Sequence, residues 1–91
     1  MQATSIVQVQ TDRVLVTEWR FEPGAATGAH VHAHDYVVVP LTSGVLRLEE
    51  PGGVRDVRLE SGVSYARPAG VSHNVINVNA HEFRFVEIEL L

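Results

Sequence analysis

Residues 24–44, GAATGAHVHAHDYVVVPLTSG, carry a glycine-rich approach into three histidines, His30, His32 and His34, and then into an apolar run. On an extended strand, side chains two apart share a face with Cβ atoms about 6.6 Å apart, so His30 and His32 point the same way and both rings can converge on one ion. A single strand supplies only part of a metal shell, because tetrahedral or octahedral coordination needs ligands from other directions. The remaining ligands must come from elsewhere in the chain.

Working outward, the punctuation is that of short strands. Valine, isoleucine and other β-formers recur in runs cut by Gly, Pro, Asp and Asn, and no segment holds a 3.6-residue apolar period, so the chain reads as all-β. The expected strands are Ile6 to Gln10, Val14 to Phe21, Tyr36 to Leu41, Val45 to Glu50, Val54 to Leu59, Val63 to Arg67, Asn74 to Val78 and Phe83 to Leu91. Tyr36 to Leu41 is almost continuously apolar, which implies a strand covered on both faces or lying at a dimer contact. Pro40 cannot donate a ladder hydrogen bond and favours an edge or a bulge at that point. Pro51, Gly52 and Gly53 mark the clearest hairpin turn. On the last strand Phe83, Phe85 and Glu87 share one face. Strands this short at this spacing suggest a closed sandwich or small barrel.

Composition narrows the partners. The chain has 91 residues, is 45% hydrophobic and carries a net charge of −4 with no basic stripe. One domain over residues 1–91 is expected. Nucleic acid is disfavoured as a partner, because phosphate neutralisation needs clustered cations. All seven basic residues are Arg, and there is no Cys, so neither disulfides nor thiolate ligands are available. The N-terminus, MQATSIVQVQ, lacks the basic start and apolar stretch of a signal peptide, and no run reaches membrane-spanning length. A cytoplasmic protein without a membrane partner is expected.

A second stretch, GVSYARPAGVSHNVIN at residues 62–77, places Pro68 after five intervening residues, then Gly70, His73 and Asn77 at fixed offsets. It resembles the second motif of the cupin superfamily. Gly24, His30, His32 and the later Gly44 resemble the first. Together the two cover about half the chain, in the expected order, with the Gly52–Gly53 hairpin between them. The resemblance implies a small antiparallel double-stranded β-helix, the jelly-roll barrel of cupin type. It also implies a divalent transition metal inside the barrel, held by His30, His32 and His73. Without Cys, three imidazoles suit Fe, Mn, Ni, Cu or Zn. Pro68 ends a strand, and Gly70 permits the turn that aims His73 inward.

One position departs from the pattern. Four residues after His32, where the first motif usually has glutamate, stands Tyr36, and a phenol with a reference pKa of about 10 is a poor ligand for a divalent ion. A three-histidine site, or a weak or absent metal, follows. Some cupin dioxygenases use three histidines, so catalysis is not excluded. Three neutral ligands leave the ion's charge uncompensated, which favours an anionic ligand in the open positions. His34 or Asp35 could substitute if a bulge re-aims either one. HDYVVVPLT is also similar to a subgroup of short bacterial single-domain cupins, some associated with β-alanine breakdown.

The remaining cavity candidates carry two readings each. Tyr36 and Phe85 read as barrel lining or as ligand contacts, and His34 as a rim residue or a participant. Arg67 reads as a surface ion pair or as an inward carboxylate clamp. Trp19 and Phe21 read as core, and His81 as solvated. A metal-dependent enzyme acting on a small organic acid, dioxygenase-like, is the leading expectation. A non-catalytic binding or sensor protein is the second, and a barrel packed shut by Tyr36, Phe83 and Phe85 the third. An uncovered edge at Ile6 to Gln10 leads us to expect a homodimer.

Overall fold

A computed structural model describes residues 1–91. Nine strands and no helix make up the fold: β1 Thr4–Gln10, β2 Val14–Phe21, β3 His30–Val31, β4 Tyr36–Pro40, β5 Gly44–Glu50, β6 Gly53–Leu59, β7 Tyr65–Arg67, β8 Ser72–Asn77 and β9 Phe83–Leu90. All strand pairs are antiparallel and form two sheets, β1-β2-β9-β4-β7 and β3-β8-β5-β6. The result is a double-stranded β-helix.

Alternation along the strands sets which side chains face inward. On β9 the sequence FRFVEIEL buries Phe83, Phe85 and Glu87 while Arg84, Val86 and Ile88 lie on the other face. Phe21 and Phe83, neither exposed at all, anchor the core together with Phe85, Tyr36, Val38, Leu46, Leu48 and Val75. The other face is not bare: Glu18 on β2, buried beneath longer neighbours, accepts from Arg20, Arg84 and Gln8. The β5–β6 hairpin and the residue after it carry exposed pairs, Arg47–Asp56 and Arg58–Glu60, on a solvated face.

Two expectations shift in detail. The run expected from Val63 begins at Tyr65 instead, because the preceding turn extends further: Gly62 sits at φ 79°, its N–H donates to the Pro40 carbonyl, and the Val63 N–H donates to Glu60. Pro40 ends β4, which lies inside its sheet rather than at an edge. Its own carbonyl accepts from Gly62 on the β7 side, so its missing N–H falls beyond Val38–Tyr65, where the β4–β7 pairing stops. The proline therefore removes no ladder bond. Strand β1 is a sheet edge and is exposed along its whole length.

Candidate metal centre and ligand cavity

Three backbone features bring the histidines together. In the β3–β8 register His30 lies directly opposite His73. The chain beyond β3 stays paired: the His32 N–H donates to the Val71 carbonyl, and the Gly70 N–H donates to the His32 carbonyl. Gly70, at φ 92°, gives the turn after Pro68 a conformation that an L side chain resists. As a result His32 and His73, both buried, and the partly buried His30 form one cluster of potential ligands.

The ring nitrogens converge. His32 Nε2 lies 3.0 Å from His30 Nε2 and 3.0 Å from His73 Nε2. Two nitrogens each about 2.1 Å from one ion, at a right angle, would stand about 3.0 Å apart. His30 Nδ1 donates to the Gly28 carbonyl at 2.9 Å, which places its proton there and leaves the Nε2 lone pair facing the cluster. Burial, followed by repulsion from His30, pushes His32 and His73 down to about 4, so both rings are neutral at pH 7. Neutral nitrogens crowded at this separation cannot all be satisfied by one another, and His73 Nδ1 has no partner at all. The donor set therefore fits a divalent transition ion.

Tyr36, only 2% exposed, stacks on His32 with ring centroids 3.9 Å apart, and burial pushes its hydroxyl up to about 12. It packs beside the cluster as a neutral ring. His34 is exposed at the cavity mouth and stays outside the cluster, and Asp35 is exposed, its Oδ1 accepting from the Ala69 N–H. No bulge re-aims either toward the other histidines. Arg67 shows both of its expected faces: it lines the cavity and stands 3.6 Å from Glu50. Phe85 lines the cavity, whereas His81 is exposed and uses Nδ1 on its neighbour's carbonyl.

These groups surround a cavity of about 440 Å³. An open, histidine-lined space of this size overturns the expectation of a barrel packed shut. Tyr36 and Phe85 form its wall, while Phe83 is buried in the core away from it.

Sequence reasoning placed Glu87 on the face of Phe83 and Phe85 but missed Glu89 and the acidic wall that the two make. Glu87 and Glu89, two apart on β9, both point into the cavity, and each offers an oxygen within 4.8 Å of the other's and of a His32 ring nitrogen. Burial first, and then the hydrogen bond with Glu89, push Glu87 up to about 8. Extending the Phe83, Phe85, Glu87 alternation by one step would have found Glu89. In the β4–β9 register, Glu89 is the cross-strand partner of Tyr36. The acidic group absent at position 36 is thus present one strand away.

Two motif residues act as clamps on this architecture. Asn77 is completely buried; its Nδ2 donates to the carbonyls of Phe21, Glu22 and His81, and its Oδ1 accepts from the Asn79 N–H. It ties the end of β8 to the end of β2. Gly44 has no room for a side chain, since a Cβ there would meet Asn79 Oδ1 at 2.6 Å. The same Asn79 amide bridges the N–H and carbonyl of Val45.

A family model described as the cupin domain matches residues 17–89. The β-alanine degradation protein BauB of Pseudomonas aeruginosa is 61% identical over 89 residues, which span 98% of this chain and 94% of that protein. The crystal structure of a cupin domain from Bordetella pertussis superposes with a TM-score of 0.98 at 57% identity, covering 99% of this chain and 94% of that one. The polyketide cyclase RemF of Streptomyces resistomycificus has a TM-score of 0.79 at 20% identity, covering 98% of this chain and 65% of its own, a likeness of fold alone.

Proposed function

The chain belongs to the cupin family, and on that basis we propose that it is a small metal-dependent enzyme acting on a small organic acid in β-alanine metabolism. The observation that carries the reading is the convergence of the His30 and His73 nitrogens, each 3.0 Å from that of His32, beside an open cavity. The 61% identity to BauB supports the metabolic assignment.

His30, His32 and His73 would hold a divalent Fe, Mn, Ni, Cu or Zn ion. When bound, such an ion offers open positions for O₂ and a chelating acid, or Lewis-acid polarisation of a carbonyl, with oxygenation the first choice. The protein's own contribution is positioning. The Gly28 carbonyl fixes the tautomer of His30, and the Tyr36 ring holds the plane of His32. Trp19, Val38, Leu46 and Phe85 give the cavity an apolar lining, and Arg67 stands in the wall where it can meet a carboxylate.

Oxygen uptake tests this. Iron-loaded protein given a panel of three-carbon acids that includes β-alanine should consume O₂ with at least one of them, and His73→Ala should not. The second reading, a binding or sensor protein without turnover, is favoured by Tyr36 standing where the first motif usually has glutamate. Saturable binding across the panel without any conversion would establish it and refute the enzyme.

The working form we expect is a cytoplasmic homodimer. Ile6, Val7 and Val9 on the edge strand β1 are 37%, 58% and 46% exposed, apolar surface that a second copy would cover. Light scattering at 10 kDa rather than twice that mass would refute the dimer.

A further inference from the structure

Strand β7 turns two side chains into the cavity whose donors the protein leaves unused. Tyr65 and Arg67 are the cross-strand partners of Val38 and Tyr36, both buried and inward-facing, so they share that face, and both line the cavity. Five of the seven arginines donate hydrogen bonds to carboxylates of the chain, and a sixth, Arg13, is exposed. Arg67 differs from all of these. Its side chain is only 27% exposed, and its nearest acid, Glu50, stands 3.6 Å away, too far for a hydrogen bond. Five N–H donors of a guanidinium thus face the cavity without a protein acceptor. The Tyr65 hydroxyl is likewise unbonded, and burial pushes it above the usual phenol range, so it keeps its proton and remains a donor.

We propose that Arg67 and Tyr65 form the carboxylate subsite of this cavity, and that Glu50 is a positioning residue which yields Arg67 to the ligand. The inference rests on the reading of this cavity as the ligand site, and it separates the ligand's carboxylate from the histidine centre. Tyr36, the cross-strand partner of Arg67, stacks on His32, so a single cross-strand step of about 5 Å divides the two regions. A short-chain acid spans such a step, with its carboxylate on β7 and its other end at the histidines. Glu50 is built for the exchange. Its Oε1 accepts from Arg55 at 2.6 Å, and that bond holds its carboxyl below the usual range, so Glu50 is charged at pH 7 and draws on Arg67 only from 3.6 Å. A ligand carboxylate pairing with the guanidinium fork at about 2.8 Å displaces the longer contact. Glu50 is not stranded when this happens, because Arg55 stays bound to it.

Calorimetric titration of the full chain at pH 7 with propionate and its neutral isostere propionamide tests the subsite. Propionate should bind about tenfold more tightly, the weight of one charge-assisted pairing. Arg67→Met keeps most of the side chain's length and removes its donors; it should bring the two probes to within about twofold, with metal content unchanged. Tyr65→Phe should weaken propionate about threefold. Glu50→Gln should tighten propionate severalfold, a gain that a merely structural Glu50 would not give. Equal binding of the two probes by the native chain, which needs no variant to observe, overturns the proposal. So does a propionate preference that survives Arg67→Met, which would put the carboxylate on the metal, and so does weaker propionate binding in Glu50→Gln. Binding of neither probe would overturn the cavity reading and this proposal with it. Failure of the metal reading is separable: metal would be missing from the native protein while the Arg67-dependent preference persisted.

Discussion

On β3, the residue just beyond it and β8 the cavity presents three imidazoles, with the His32 nitrogen 3.0 Å from each of the other two, while on β9 it presents two acids, one of which keeps its proton to about pH 8. The first wall is held by backbone: His30 opposite His73, His32 bonded to Val71 and Gly70, and Asn77 clamping the end of β8. The second is held by strand alternation, with a hydrogen bond between its two acids. The contrast teaches that one cavity can keep its polar groups neutral in two ways. Neutral nitrogens preorganised by turns suit an ion of short bond length, whereas the paired acids of β9 stay near neutrality because burial holds a proton on Glu87.

The largest expected effect breaks the first wall at its clamp. Asn77→Ala leaves the carbonyls of Phe21, Glu22 and His81 without their donor and should cost about 2–4 kcal/mol in denaturant unfolding. A loss below about 1 kcal/mol would show that β8 is held by its ladder instead.

Titration of the metal-free protein separates the walls by sign. The unfolded chain protonates its imidazoles below about pH 6.5, whereas folded His32 and His73 do so only near 4. Between these values the unfolded state binds more protons, so their contribution is complete above pH 6.5 and is lost as pH falls. Glu87 behaves oppositely: the unfolded carboxyl ionises above about 4.5 and the folded one near 8, so its contribution is complete below 4.5 and is lost as pH rises through 8. Two histidines outweigh one glutamate up to pH 6.5, and Glu87 prevails beyond it. Chelator-treated protein should therefore be most stable near pH 6.5 and lose about 1 kcal/mol by pH 8. Glu87→Gln should abolish that falling limb, and a limb that persists in this variant contradicts the assignment to Glu87.

The smallest expected effect concerns the ring between the two walls. Tyr36→Phe keeps the stack on His32 and removes only the hydroxyl, so stability should change by less than about 1 kcal/mol and metal content not at all. Loss of metal in Tyr36→Phe would mean that the phenol is a ligand after all.

The same contrast explains what was legible in the sequence. Turns and ligands of the first wall announce themselves through Gly, Pro and His at fixed spacings, and all eight expected strands agree with the fold to within two residues at either end. At Val63 to Arg67 a turn tied to Pro40 by the Gly62 N–H delays the strand by two residues. β3 is only two residues long and could not be delimited from periodicity. The acidic wall was harder because glutamate at the end of a strand normally marks a solvated face. Only the closure of β9 between β2 and β4 turns the inner face of Glu87 and Glu89 into a cavity. His34 and Asp35 sat close to the histidines in sequence, yet the backbone between β3 and β4 leaves His34 exposed at the cavity mouth and turns Asp35 onto the Ala69 N–H.

Elemental mass spectrometry of protein produced without a histidine tag tests the account most directly. We expect close to one equivalent of a divalent transition metal per chain in the native protein and less than a tenth of that in His73→Ala. Metal-free native protein that fails to take up added ion, or full occupancy in His73→Ala, would contradict the three-histidine centre.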